Sequence, residues 1–124
     1  MSEMQSGVQQ AWQARLDAGE FVIQRCGGCQ QHVFYPRGLC PHCGADQLAF
    51  VTPAGSGTVY ATTVVRRKAE LGGDYNVVLV DLDEGVRLMS RVEGVAPDAV
   101  AIGLRVQARV AREQDRGLLL FDPL

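Results

Sequence analysis

Four cysteines stand in two close pairs, Cys26-Gly27-Gly28-Cys29 and Cys40-Pro41-His42-Cys43, with ten residues between the pairs. Each pair puts two sulfurs at one tight turn, and ten residues suffice for one short strand to run out and another to return. Two such turns facing each other offer four thiolates to one tetrahedral Zn²⁺. The glycines and Pro41 suit a knuckle whose backbone turns sharply and aims amide N–H groups at the sulfurs. Four thiolates close the coordination shell and weaken the metal's Lewis acidity. The expected ion, one Zn²⁺ per chain on Cys26, Cys29, Cys40 and Cys43, is therefore structural, and no catalytic residue is assigned.

Two other uses of the cysteines compete with zinc. Cys40-Pro41-His42-Cys43 alone resembles a thioredoxin-like redox pair, whose first thiol is activated at the start of a long helix. Here Gly44-Ala45-Asp46-Gln47-Leu48 runs on to Pro53-Ala54-Gly55 and leaves no room for such a helix, and Cys26 and Cys29 would have no role. A disulfide framework would spread its cysteines along the chain behind a charged-then-apolar leader, and this sequence has neither feature. A reducing, cytoplasmic location is expected. His32 and His42 stand close enough to substitute as ligands, but beside four cysteines they are expected to be exposed loop residues.

The elements that must position these residues follow from pattern. The chain has 124 residues, of which 47% are hydrophobic, and a formal net charge of −2 at pH 7. Loading four thiolates with one Zn²⁺ adds about two further negative charges, which argues against a general polyanion partner. Apolar residues at helical spacing from Gly7 to Gly19, Trp12 among them, predict a short N-terminal helix that must dock either on this chain or on a partner. Phe21-Val22-Ile23, Val33-Phe34-Tyr35 and Leu48 to Val51 predict three short strands around the two knuckles, a rubredoxin-like zinc ribbon too small to be stable without metal.

Beyond the turn cluster Pro53-Ala54-Gly55-Ser56-Gly57 the pattern is wholly strand-like. Thr58 to Arg67, Tyr75 to Leu82, Val86 to Val92, Leu104 to Val110 and Leu118 to Phe121 predict five strands, with a helical turn at Pro97 to Val100 between the third and fourth. Five short strands suit an OB-fold barrel better than a sandwich. The fold class read from sequence is thus mainly β, with an N-terminal helix at 1–20, a zinc ribbon at 21–53 and an OB-fold domain at 54–124. No apolar run approaches the length of about twenty residues that spans a membrane, so no membrane partner is expected.

The succession Cys26-x-x-Cys29, Tyr35-Pro36-Arg37, Cys40-Pro41-x-Cys43-Gly44, Gly55-Ser56-Gly57-Thr58-Val59-Tyr60, Thr63-Val64-Val65, Asp81-Leu82-Asp83-Glu84-Gly85 and Ile102-Gly103 resembles the DUF35 family of zinc-ribbon and OB-fold proteins. The resemblance runs from about Trp12 to Pro123. It implies a small non-catalytic accessory subunit in a hetero-oligomer with a thiolase-fold enzyme, such as a thiolase, a lipid-transfer-protein-like aldolase or an acyltransferase. It also implies that the barrel helps to hold CoA or acyl-CoA while the partner supplies the nucleophile.

A bound CoA would need cations for its phosphates. Arg66-Arg67-Lys68 is the densest basic cluster, though a solvated strand end needs no ligand at all. Arg87 and Arg91, with Met89 between them, form a second candidate surface. Tyr60 and Tyr75 could edge an adenine, but as barrel aromatics they are expected in the core. Ala69 to Asp74 reads as a linker, and Asp81, Asp83 and Glu84 as turn residues without a catalytic role. Two other functions compete. A single-stranded nucleic-acid binder should show a basic groove with stacking aromatics, whereas this chain is acidic and only 6% aromatic. A stand-alone acyl-CoA thioesterase-like enzyme would need a nucleophile that the sequence does not display.

Overall fold

Helix α1 spans Ser2–Asp17, starting earlier than its apolar pattern implies. Gly7 is tolerated inside it, at a cost of about 1 kcal/mol relative to alanine. The helix ends where Gly19 takes a φ of 90°, and Gly19 donates its N–H to Leu16 O at 2.9 Å. The structure is a computed structural model that describes residues 2–124, with side chains from Gly7 onward.

The chain divides into two compact units, Met1–Ala54 with Val110–Leu118, and Gly55–Arg109 with Leu119–Leu124. In the first, strands β1 (Ile23–Cys26), β2 (His32–Val33) and β3 (Leu48–Val51) form an antiparallel sheet in the order β2-β1-β3. Strand β1 starts at the last residue of the expected apolar run, where Ile23 pairs with Val51, and pairing of Cys26 with Leu48 carries the ladder into the first knuckle. Strand β2 is shorter than expected. Beyond it the side chain of Gln24, 4% exposed, takes over as a ladder partner: its Nε2 donates to Arg37 O at 3.0 Å and its Oε1 accepts from Arg37 N at 2.9 Å. A buried amide with both ends satisfied holds the strand exit where Pro36 has no N–H to offer.

The helix docks on its own ribbon. Trp12 Nε1 donates to Val22 O at 2.7 Å, its ring meets Phe34 edge to face at 5.6 Å between centroids, and Leu16 is buried. Residues 110–118 of the same unit close on the helix C-terminus, where Gly117 is buried against Leu16 and Asp17.

The remaining strands are β4 (Ser56–Val65), β5 (Tyr75–Leu82), β6 (Arg87–Ser90), β7 (Arg105–Glu113) and β8 (Arg116–Pro123), in the order β6-β5-β4-β7-β8. The alternation of Tyr75–Leu82 is followed strictly, with Asn76, Val78, Val80 and Leu82 inward. A bulge in β4 between Val59 and Ala61 bends the sheet. The curl brings Val92 beside Phe121 in a parallel bridge, with Phe121 fully buried. This curled five-stranded sheet has the OB-fold form, and a 3₁₀ turn at Pro97–Ala99 lies between β6 and β7. Gly57 permits a close approach of β4 to β5, since a Cβ there would sit 2.7 Å from Asp81 O.

Candidate metal centre

Each knuckle is built by its own backbone. Gln30, at a φ of 67°, donates its N–H to Cys26 O at 2.8 Å, and Gly44, at a φ of 79°, donates to Cys40 O at 2.9 Å. The turns direct Gly28 N–H at Cys26 Sγ and His42 N–H at Cys40 Sγ, each at 3.3 Å. Cys26 and Cys40 are buried with Val33, and Cys29, Ala45 and Leu48 pack against them.

The four sulfurs lie within 4.8 Å of one another and none is in a disulfide. Cys26 Sγ is 3.6 Å from Cys43 Sγ, and Cys29 Sγ is 3.7 Å from Cys40 Sγ. A tetrahedron with Zn–S bonds of about 2.3 Å has edges of about 3.8 Å, so the spacing and the all-sulfur donor set fit zinc. Charge leads to the same ion. Burial pushes the Cys40 thiol up, but the amide N–H groups of Cys43 and His42, with the neighbouring thiols of Cys29 and Cys26, outweigh it and bring Cys40 down to about 6. The amide of Ala45 lowers Cys43, yet contact with Cys26, burial and contact with Cys29 and Cys40 together push it up to about 12. The cluster takes its first negative charge easily and resists its last, and a divalent cation would allow all four thiolates to coexist. Cys26, Cys29, Cys40 and Cys43 would hold the ion, whose contribution is to tie the two knuckles together. His42 is exposed, and among the described residues neither histidine joins the sulfur cluster.

The basic residues singled out in the sequence do not converge as a group. Arg66 is paired with Asp74 at 2.6 Å, and Arg87 with Asp81 at 2.6 Å. Arg91 lies just past β6, 3.3 Å from Glu93, and Lys68 is exposed. Arg67 donates its Nε to Gly73 O at 3.1 Å and lies 4.5 Å over the ring of Tyr75. Tyr60 and Tyr75 are not core residues. Tyr60 is 51% exposed beneath the Arg87 guanidinium at 3.5 Å, and Tyr75 is half-buried beneath Arg67. Outward positions of a curled sheet put these rings where cations can cover their faces.

The acidic turn residues also have partners that spacing did not reveal. Asp83 accepts two hydrogen bonds from Arg105, at 2.9 and 3.0 Å, and one from Ser56 Oγ at 2.6 Å, which together hold its carboxyl well below the usual range. The Ala69 to Asp74 segment is a 3₁₀ turn at Ala69–Leu71 followed by two left-handed glycines, held at its end by Asp74, which also accepts from Arg67 N at 3.0 Å.

Fold and site together define a zinc-ribbon protein carrying an OB-fold. Residues 13–49 match the ChsH2 rubredoxin-like zinc ribbon domain, and residues 50–111 match the ChsH2 C-terminal OB-fold domain. The chain belongs to the DUF35 family. It is 32% identical over 103 residues to a DUF35 domain-containing scaffold protein of Pyrococcus furiosus, covering 77% of this chain and 76% of the relative. It is 37% identical over 97 residues to a probable enoyl-CoA hydratase alpha subunit of Thermomonospora curvata, covering 77% of this chain but only 30% of that longer protein. In structure it resembles a chain of the Ltp2-ChsH2(DUF35) aldolase, with a TM-score of 0.82, 33% identity and 93% of each chain covered. No helix is long and apolar enough to cross a membrane among the described residues.

Proposed function

We propose that the chain is a non-catalytic accessory subunit that docks on a thiolase-fold enzyme and completes its site for a CoA thioester. The observation that carries this reading is the likeness, over 93% of both chains, to a chain of the Ltp2-ChsH2(DUF35) aldolase. The family relative called a scaffold protein supports the same division of labour. On this reading the ribbon, tied by zinc on Cys26, Cys29, Cys40 and Cys43, is the rigid part, and the barrel contributes the ligand-facing surface. The nucleophile belongs to the partner. Arg66, Arg67, Lys68, Arg87 and Arg91 are the candidate contacts to CoA or to that enzyme. The ion pairs of Arg66 and Arg87 favour roles in positioning, while Arg67 keeps its charge available.

A hydratase assembly is the second reading, favoured by the relative named as a hydratase alpha subunit. One experiment separates the two. The tagged chain is co-expressed in turn with a thiolase-fold and with a hydratase-fold candidate partner from the same genome, and each complex is purified and assayed with CoA thioesters. Carbon–carbon bond cleavage or formation by a thiolase-fold complex, with no turnover by the chain alone, is the expected result. Hydration by a hydratase-fold complex selects the second reading. Turnover by the isolated chain, or tight salt-sensitive oligonucleotide binding without any CoA-linked activity, overturns both.

A further inference from the structure

A cleft of about 290 Å³ opens within the second unit, between the loop after β4 and the segment after β6. Its floor is Asn76, whose side chain is spent on the backbone of Val92: Nδ2 donates to Val92 O and Oδ1 accepts from Val92 N, both at 2.8 Å. Arg67, Tyr75, Arg91 and Glu93 line it, and Val95 and Pro97 give it an apolar lip.

The charges in the cleft are not equivalent. Asp74 is occupied by Arg66 and by the N–H of Arg67, and Glu93 by Arg91 and by Arg109 at 3.6 Å. Both carboxylates are thus neutralised by neighbours. Arg67 has no carboxylate partner among the described residues. Its guanidinium is fixed by the bond to Gly73 O and by the Tyr75 ring, and Gly72 leaves it space, since a Cβ there would lie 2.8 Å from Arg67 Nη2. Arg91, which also lines the cleft, has a buried Nε with no hydrogen-bond partner. A guanidinium held over an aromatic ring and bonded to a backbone carbonyl has lost side-chain freedom in advance, which is how a planar fork becomes selective for an oxyanion.

We propose that this cleft binds a small organic oxyanion, a phosphate monoester or a carboxylate carried on an apolar body. The oxyanion meets Arg67 and the body lies against Tyr75, Val95 and Pro97. The proposal stands on the geometry of this chain alone and does not require the docking reading. The test is a titration of the ¹⁵N-labelled, zinc-loaded full chain with phenyl phosphate, benzoate and inorganic phosphate, followed by amide and arginine Nε–H resonances. The expected result is saturable movement at Arg67, Gly73 and Val95 with phenyl phosphate or benzoate, and which of them binds tighter identifies the oxyanion. Arg67→Gln should weaken binding at least tenfold, while Arg25→Gln, at an exposed position that does not line the cleft, changes it less than twofold. Val95→Asp, which leaves Arg67 untouched and adds a like charge at the lip, should also weaken it several-fold. Absence of saturable movement with all three probes, or wild-type affinity in Arg67→Gln and Val95→Asp chains that keep the wild-type spectrum elsewhere, overturns the proposal. Co-purification with a partner enzyme, measured on the same variants, reports the docking reading separately.

Discussion

The backbone N–H of Gly117 donates to Asp17 Oδ1 at 2.7 Å, joining the end of the N-terminal helix to a hairpin tip a hundred residues away in sequence. Gln13 Nε2 reinforces the joint with bonds to Asp17 Oδ1 at 2.8 Å and Gly117 O at 3.1 Å. A Cβ at Gly117 would overlap the carbonyl of Leu16, so only glycine fits. Gly117→Ala should therefore destabilise the chain by about 1–3 kcal/mol, as forced overpacking does, measured by urea unfolding of the zinc-loaded protein. An unchanged midpoint would show that the tip does not close on the helix in solution.

The same joint has a pH dependence of known sign. The Gly117 N–H and the Gln13 amide hold the Asp17 carboxyl below its ordinary value. A carboxyl lowered in the folded state adds stability above its unfolded pKa, and that stability is lost as pH falls through the folded value. Asp17→Asn should accordingly be less stable than the parent at pH 7, with the gap closing toward pH 3. A gap that stays constant over that range would assign the loss to something other than the carboxylate's charge.

Zinc should hold the ribbon and leave the barrel's own core unaltered. Cys40→Ser should lower the metal content below one per chain and loosen the first unit, because structural zinc in comparable small sites is worth about 10–16 kcal/mol of apparent binding energy. Trp12 is the only tryptophan and lies in that unit, so its emission should shift to the red when a chelator removes the metal. Full metal content in Cys40→Ser, or emission indifferent to chelation, would count against the site.

In the barrel, Asn76 is 2% exposed and serves both polar groups of Val92. Asn76→Ala would strand a buried N–H and a buried C=O, and should cost about 2–3 kcal/mol of barrel stability. Amide exchange at Val92 should accelerate with it. Protection at Val92 equal to wild type would mean that water replaces the side chain fully.

The two knuckles, the closed donor set and the order of helix, ribbon and five strands were legible in the sequence, because each rests on local spacing: two residues between sulfurs, alternation along Tyr75–Leu82, and the turn cluster at Pro53-Ala54-Gly55. Local spacing also misled at defined places. Strand β2 stops early because Gln24, a polar residue just past the apolar run Phe21-Val22-Ile23, caps its exit. Tyr60 and Tyr75 turn outward under arginines, because which face of a curled strand is buried depends on neighbouring strands.

What the sequence determined by itself is chemistry of short range: four thiols in two turns can do little but close around one soft cation, and the strand periods set an OB-type sheet. What the tertiary structure decided is which charges are spent and which are left. Arg66, Arg87 and Arg105 are consumed by Asp74, Asp81 and Asp83, whereas Arg67 is held on Tyr75 with no carboxylate partner among the described residues. Ion pairs between side chains 6 to 22 residues apart depend on strand register and loop closure. Register is fixed by burial of one face of the sheet, a property of the whole fold that no single stretch of sequence carries.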